Sequence, residues 1–412
     1  MEKNKKINVL VCPSDRFGCY LHRSGNPHIM LSDMFGDDFD VEINHEPNWY
    51  NLDEFDKYDI IHVHKGLYND MEAFWSALLH FKEKNITTIL DLDDHWEVGR
   101  NHPLYASNKA MKTAEKIIKN IRLADYVTTT TEIFAEKIRK YNKNVFIYPN
   151  AIDPTVDQYL PIKEKSDRIR FGFVMGSSHE KDMQQIIGVA NRLPQHLYDK
   201  IQFVLCGFDL RGTMTNLDKD GNVTGVRPIK PHESVWYRYE QIVTDNYKIV
   251  SPHYKDFLHK FLPTAQYPLV ENEPYRRQWT MDVNNYAKHY RNVDVLLVPL
   301  DNNEFNSVKS ELKFVEAGFT KTAVIASNFG PYTIGSNSMF KKGGVIDETG
   351  NCILIDQSKA HKDWAKYIIK LAENPELITK LQENMYNHVK DKYDIRNITV
   401  QRAEWYKSIV KK

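Results

Sequence analysis

Four ionisable side chains crowd one short stretch, Asp91-Leu-Asp93-Asp94-His95-Trp96, which follows an apolar run and precedes His102-Pro-Leu-Tyr105. Carboxylates and an imidazole at the carboxyl end of a strand suit the orientation or deprotonation of a hydroxyl. The Asp-x-Asp spacing also imitates a metal site, and capping of the next segment by Asp93 or Asp94 is the plainer alternative. His62 and His64 alternate on the preceding strand and read as packed core histidines.

A second candidate runs from Pro299 to Phe319, from a strand end into a helix. A helix N-terminus offers free N–H groups and a positive dipole end, which is what holding a diphosphate requires. Asn306 and Ser307 are expected at the cap, and helical spacing puts Lys309, Lys313 and Glu316 on one face. Lysines there would meet phosphate oxygens and the glutamate could accept from ribose hydroxyls, while a surface helix with solvated Lys/Glu pairs is the competing reading. A third segment, Phe171-Gly-Phe-Val-Met-Gly176-Ser177-Ser-His-Glu-Lys181, also ends a strand, with Lys181 at a helix start. Gly18, flanked by Arg16 and Arg23, follows the first strand; it permits close approach of a phosphate, and a turn requirement explains it equally.

Short β-branched runs alternating with helical stretches must position these residues. Ile7–Cys12, Asp59–Val63, Thr87–Leu92, Tyr126–Thr130 and Val145–Tyr148 read as strands of a doubly wound sheet, with helices at Asp70–Lys84 and Asn108–Arg122. A second series follows: strands Ile169–Met175, Ile201–Cys206, Val293–Val298, Ala323–Ala326 and Cys352–Ile355, with helices Lys181–Arg192, Ser307–Ala317 and His361–Ala372. The expected organisation is a first α/β domain over 1–153, a linker over 154–168, and a second domain over 169–385. Around 208–285 an insertion with a hairpin at Asp220-Gly221 interrupts the second domain, and a helical segment, 386–412, can pack back on the first.

At 412 residues the chain exceeds the size of one core, and 42% hydrophobic against 27% charged residues is ordinary for a folded protein. Fifty-five basic residues balance fifty-five acidic ones, which excludes the broad positive field of a nucleic-acid binder. The first apolar run is too short for a signal or membrane segment, so a cytoplasmic protein is expected, with peripheral contact to the inner membrane face compatible. Cys12, Cys19, Cys206 and Cys352 are scattered and read as buried reduced thiols.

The segment ending in Glu316-Ala-Gly318, the strand Ala323–Ala326 and the loop Ser327-Asn-Phe-Gly-Pro-Tyr332 resemble the nucleotide-binding region of retaining GT-B glycosyltransferases, the group 1 (family-4-like) enzymes. Ala124-Asp-Tyr-Val-Thr, Pro149-Asn-Ala-Ile-Asp153 and the Gly176-to-Lys181 segment extend the resemblance over most of the chain. It implies an α/β fold of two Rossmann-like doubly wound domains facing a central cleft. Gly18, Gly176, Ser177, Lys181, Glu304, Asn306, Ser307, Lys309, Lys313 and Glu316 would bind the donor. Asp93, Asp94, His95, Lys181 and Lys309 would act in catalysis. Two positions depart from the family pattern: Val308 stands where its first glutamate is usual, and Ser177 where an arginine is, so that Lys309 or Arg277 is expected to supply the cation.

The implied activity is metal-independent, cofactor-free and retaining transfer of a sugar from a nucleotide-sugar donor to a saccharide or lipid-linked saccharide acceptor, in cell-surface polysaccharide or glycoconjugate synthesis. Metal is set aside because the Asp-x-Asp site belongs with the single-domain GT-A architecture. The alternatives are a nucleotide-sugar 2-epimerase and a catalytically silent carbohydrate-binding or scaffold protein. Donor base, sugar and oligomeric state are not written in the residues.

Overall fold

The computed structural model describes residues 5–411 except 101, 103, 219–222, 248 and 260–272. Within it the chain forms two compact units, each discontinuous in sequence. One comprises Met1–Pro154, Asn302–Val315 and Val389–Lys412; the other comprises Thr155–Asp301 and Glu316–His388. The stretch 302–315 thus joins the first unit, as does the C-terminal segment from Val389 onward.

The first unit is built on six parallel strands: β1 (Ile7–Cys12), β2 (Phe39–Ile43), β3 (Ile60–His64), β4 (Thr87–Leu92), β5 (Tyr126–Thr129) and β6 (Val145–Ile147), ordered β2-β1-β3-β4-β5-β6. β1, β3 and β4 are almost wholly buried, as strands covered on both faces are, and the few polar side chains among them are buried with them. The helix Met71–Glu83 begins at Asp70, whose side chain accepts from the Ala73 N–H at 3.0 Å. The expected helix over Asn108–Arg122 is two, Tyr105–Ala110 and Thr113–Leu123, broken where Lys112 takes a left-handed backbone with φ 51°. The last helix, Ile395–Ile409, packs on this sheet; its Trp405 sits against Tyr126, Phe146 and Tyr148, and the Thr87 hydroxyl donates to the Ile409 carbonyl at 2.9 Å. Burying one such ring contributes roughly 1.5–3 kcal/mol.

The second unit carries β7 (Ile169–Val174), β8 (Ile201–Phe208), the antiparallel pair β9 (Thr213–Leu217) and β10 (Val223–Pro228), then β11 (Tyr275–Trp279), β12 (Val295–Val298), β13 (Ala323–Ser327) and β14 (Ile353–Ile355). Its main sheet is parallel, ordered β11-β8-β7-β12-β13-β14. The expected hairpin is therefore present as β9 and β10, while its Asp220-Gly221 turn lies outside the described residues. The helix expected over Lys181–Arg192 is a single turn, Glu180–Met183, followed by the 3-10 turns Gln184–Ile186 and Ala190–Arg192, between which Gly188 takes φ +72°.

Both units are thus Rossmann-like, doubly wound α/β layers of the GT-B kind. In each, strand order reverses beside the first strand, between β1 and β3 and between β7 and β12, which places a crevice outside the carboxyl ends of those strands. Three of the four cysteines are buried thiols as expected, whereas Cys19 is only partly covered. Among the described residues no helix is long and apolar enough to cross a membrane.

Candidate functional site

At the first reversal point, the loops after β1, β3 and β4 bring together Ser14, Cys19, His64, Lys65, Asp93 and Asp94. His64 lies between two of them: the Ser14 Oγ is 2.7 Å from Nδ1, and Asp93 Oδ1 is 3.1 Å from Nε2. An acidic partner on Nε2 assigns the proton there, leaving Nδ1 to accept from the serine hydroxyl. Lys65 places its ammonium 3.0 Å from Asp93 Oδ1 and 3.2 Å from Asp94 Oδ2. Burial alone would raise the Asp93 carboxyl, yet Lys65 and His64 hold it well below the usual carboxylate range. Asp94, on the same lysine, keeps 39% of its side chain exposed while Asp93 keeps 14%.

Beneath this cluster Asp91 is fully buried in a two-pronged pair with Arg23, Nε to Oδ2 at 3.0 Å and Nη2 to Oδ1 at 2.5 Å. Thr128 donates to the same carboxylate at 2.6 Å. Burial would push Asp91 up, but the Arg23 charge and its bonds keep the carboxyl below its ordinary value. Arg23 comes from a turn of π-helix, Tyr20–Ser24, and also donates to the Tyr148 carbonyl and the Asn150 side chain, tying the loop after β1 to β4 and the end of β6.

His95 does not join that cluster. Its ring stacks on Trp96 with centroids 4.6 Å apart, and the Glu97 N–H donates to its Nδ1 at 3.0 Å. Burial depresses its pKa, and Nε2 faces Glu304 at 3.9 Å. Its Nδ1 is engaged with the Glu97 backbone, which leaves Nε2 as the free face of the ring. Glu304 also receives Lys137 at 2.5 Å. Neither Asp93 nor Asp94 caps a helix, as the simpler reading had it; both side chains are held by Lys65. His62 is buried as expected, packed on His28 at 4.6 Å, but both its ring nitrogens lack partners.

The Pro299–Phe319 segment is not one helix. Glu304–Ser307 forms one turn, capped by Asn303, whose side chain accepts from the Asn306 N–H at 2.9 Å. Leu312–Phe319 forms the second helix, and residues 308–311 are irregular because Val308 turns inward to a core with Leu92, Trp96 and Phe134. Asn306 and Ser307 therefore end the first turn and do not cap the longer helix, with Ser307 Oγ donating to the Glu304 carbonyl at 2.7 Å. Lys309 lies outside the helix that carries Lys313 and Glu316, over the Phe305 ring at 5.2 Å, so the three do not form one helical face.

In the second unit, the loop after β7 carries Gly176, Ser177, His179 and Lys181. A Cβ on Gly176 would meet nothing within 4 Å, and the same is true of Gly18 after β1, so neither glycine is required by the protein's own packing. Lys181 is exposed on its turn. The residues that shape this loop escaped the sequence reading: His179 Nδ1 is 2.6 Å from Asp182 Oδ2, the His179 N–H donates to the Tyr239 hydroxyl, and Asp182 Oδ1 accepts from the Asp301 N–H at 2.6 Å, joining the ends of β7 and β12. Arg277, a candidate substitute cation, is committed elsewhere: buried, it pairs with Glu240 and donates to the Leu258 carbonyl at 2.8 Å. Glu316 is fully buried; Tyr286 donates to one of its oxygens and Tyr290 to the other at 2.7 Å. Burial, then the Glu316 charge, holds both phenols protonated far above their usual range.

No protein-family model matches the sequence, and no curated protein matches it. Solved structures do match. HepE of Anabaena in complex with UDP-glucose is 12% identical over 98% of this chain and 99% of its own, with a TM-score of 0.57. A glycosyltransferase of Rickettsia africae is 13% identical over 99% of both chains, TM-score 0.60. The catalytic domain of starch synthase IV of Arabidopsis thaliana, bound to ADP and acarbose, is 12% identical over 98% of this chain and 99% of its own, TM-score 0.57. The chain therefore shares the GT-B fold over nearly its whole length.

Proposed function

We propose that this protein is a metal-independent, retaining glycosyltransferase that moves a sugar from a nucleotide-sugar donor to a saccharide hydroxyl, in polysaccharide or glycoconjugate synthesis. The observation that carries the reading is the match of both units, end to end, to folds solved with UDP-glucose or with ADP and acarbose. The second unit takes the donor: its loop after β7 offers open space at Gly176 for a phosphate, with Ser177 beside it and the exposed Lys181 to oppose charge on the departing diphosphate. The first unit takes the acceptor: one Asp94 oxygen is spent on Lys65, and the half-exposed carboxylate keeps capacity to orient a hydroxyl and receive its proton. His95 turns Nε2 toward the acceptor and orients a sugar hydroxyl. Lys309, on the 302–315 stretch, supplies a further cation to the first unit.

The test is a panel of nucleotide sugars screened by thermal shift and by nucleoside-diphosphate release, with and without saccharide acceptors. A ligand bound only by the folded state raises the melting temperature, by an amount set by its concentration over Kd. Absence of both a shift and release across UDP, ADP and GDP sugars would remove the proposal.

A further inference from the structure

Lys65 had no part in the sequence reading, yet the first-unit cluster is arranged around it. Its backbone sits at φ 59°, a left-handed conformation that side-chain-bearing residues adopt seldom. Several bonds hold it there: the Lys65 N–H donates to the Asp91 carbonyl at 2.9 Å, the Gly66 N–H to the His64 carbonyl at 2.7 Å, and the buried Asn120 amide to the Lys65 and Gly66 carbonyls at 3.2 and 2.7 Å. The result aims the side chain back across the ends of β3 and β4. Its ammonium lies 3.0 Å from Asp93 Oδ1, 3.2 Å from Asp94 Oδ2 and 3.7 Å from Cys19 Sγ. One ligand atom each from Cys19, His64 and Asp93 lie within 4.8 Å of one another, a spacing that would also suit a metal ion. With Asp94 added, the donor set is crowded with lone pairs and needs a positive charge.

We propose that Lys65 is the positioning residue of the acceptor side: its ammonium is the resident cation of this cluster, standing where a divalent ion would otherwise sit and fixing which carboxylate oxygens face the acceptor. The last clause rests on the transfer reading above; the first does not. A lysine held at the strand end supplies the charge without metal exchange, and its three N–H donors match three acceptors, Asp93, Asp94 and the Cys19 sulfur. The Asp-x-Asp-Asp sequence thus reads as a carboxylate pair already neutralised from within.

The experiment titrates zinc and manganese separately into metal-free full-length wild type, Lys65→Met and Lys65→Arg, with binding followed by calorimetry, and measures turnover at saturating donor. Wild type and Lys65→Arg are expected to take up neither metal at tens of micromolar. Lys65→Met is expected to bind one equivalent of zinc at least tenfold more tightly, and in metal-free buffer to lose at least tenfold in kcat while donor Kd stays within twofold. A purely structural role would move none of the metal arms. Stoichiometric metal uptake by wild type overturns the proposal, as does a folded Lys65→Met chain that stays metal-free or keeps wild-type turnover. Should Lys65→Met not fold, Lys65→Gln takes its place in the same metal titrations; stoichiometric zinc uptake by the folded variant supports the proposal and a folded variant that stays metal-free overturns it. The metal arms need no substrate, so they decide the role of Lys65 even where the donor panel refutes sugar transfer.

Discussion

Glu316→Gln tests whether the buried carboxylate of the second unit is structural or free for ligand. Both of its oxygens accept phenolic hydrogens, from Tyr286 and from Tyr290, and the residue is 0% exposed. Glutamine keeps one carbonyl acceptor but turns an amide N–H₂ toward the other phenol. One bond to a charged group falls to a neutral one, and the other phenol must find a new acceptor in a dry site. A hydrogen bond to a charged group contributes about 1.5–3 kcal/mol against roughly 0.5–1.5 for a neutral one, and a stranded buried donor costs about 1–3 kcal/mol. The sum is about 2–4 kcal/mol, a large part of a typical stability of about 5–15 kcal/mol. For a unit of this size each kcal/mol moves Tm by roughly 2–4 °C, so a fall of about 5–15 °C is expected. Thermal unfolding followed by circular dichroism measures it, with Tyr286→Phe/Tyr290→Phe as the comparison that removes both donors. An unchanged Tm with reduced donor affinity would refute the reasoning: the phenols would then contribute little, and the carboxylate would be available to a ribose.

Asp91→Asn should cost about 3–5 kcal/mol, because it leaves the Arg23 guanidinium buried with its charge uncompensated; chemical denaturation reads this directly, and a loss below 1 kcal/mol would contradict the pairing. The Asp91 carboxyl is depressed in the folded state, so its contribution is present above the ordinary carboxylate value of about 3.9 and disappears as pH falls through the folded value. The gap in Tm between wild type and Asp91→Asn should accordingly close below about pH 4. Lys181→Ala should lower kcat at saturating donor by tenfold or more with Tm unchanged, since the side chain is exposed; wild-type rates would assign the diphosphate to other groups. Asp94→Asn should depress transfer by roughly 10²–10⁴ if the carboxylate receives the acceptor proton, with donor affinity retained and no effect of EDTA; loss of donor affinity instead would reverse the roles of the two units.

The order and type of the buried elements were legible in the sequence, because parallel strands covered on both faces must be continuous apolar runs: Ile7–Cys12, Thr87–Leu92 and Ala323–Ser327 announce themselves. Two of the four edge strands of the two parallel sheets were not. β2, Phe-Asp-Val-Glu-Ile, and β11, Tyr-Arg-Arg-Gln-Trp, each have one neighbouring strand in their sheets, so half of their pattern is polar and the runs look like loop or insertion. Helix continuity was also beyond local pattern: Val308 belongs to a helical period, but burying it beside Trp96 and Phe134 gains more than one further helical turn, and the segment breaks. Asp93, Asp94, Gly176 and Lys181 could be picked out because strand ends and helix starts are local features. The roles of Lys65, Asn120, the Arg23 pair and the tyrosines on Glu316 could not, since their partners lie tens of residues away and only the sheet order of each unit and the packing of helices on it bring these groups within reach of each other. Residue type and spacing determine which groups can carry charge; which of them are spent on one another, and which remain for a ligand, is decided by the tertiary structure, because burial makes every unpaired charge costly.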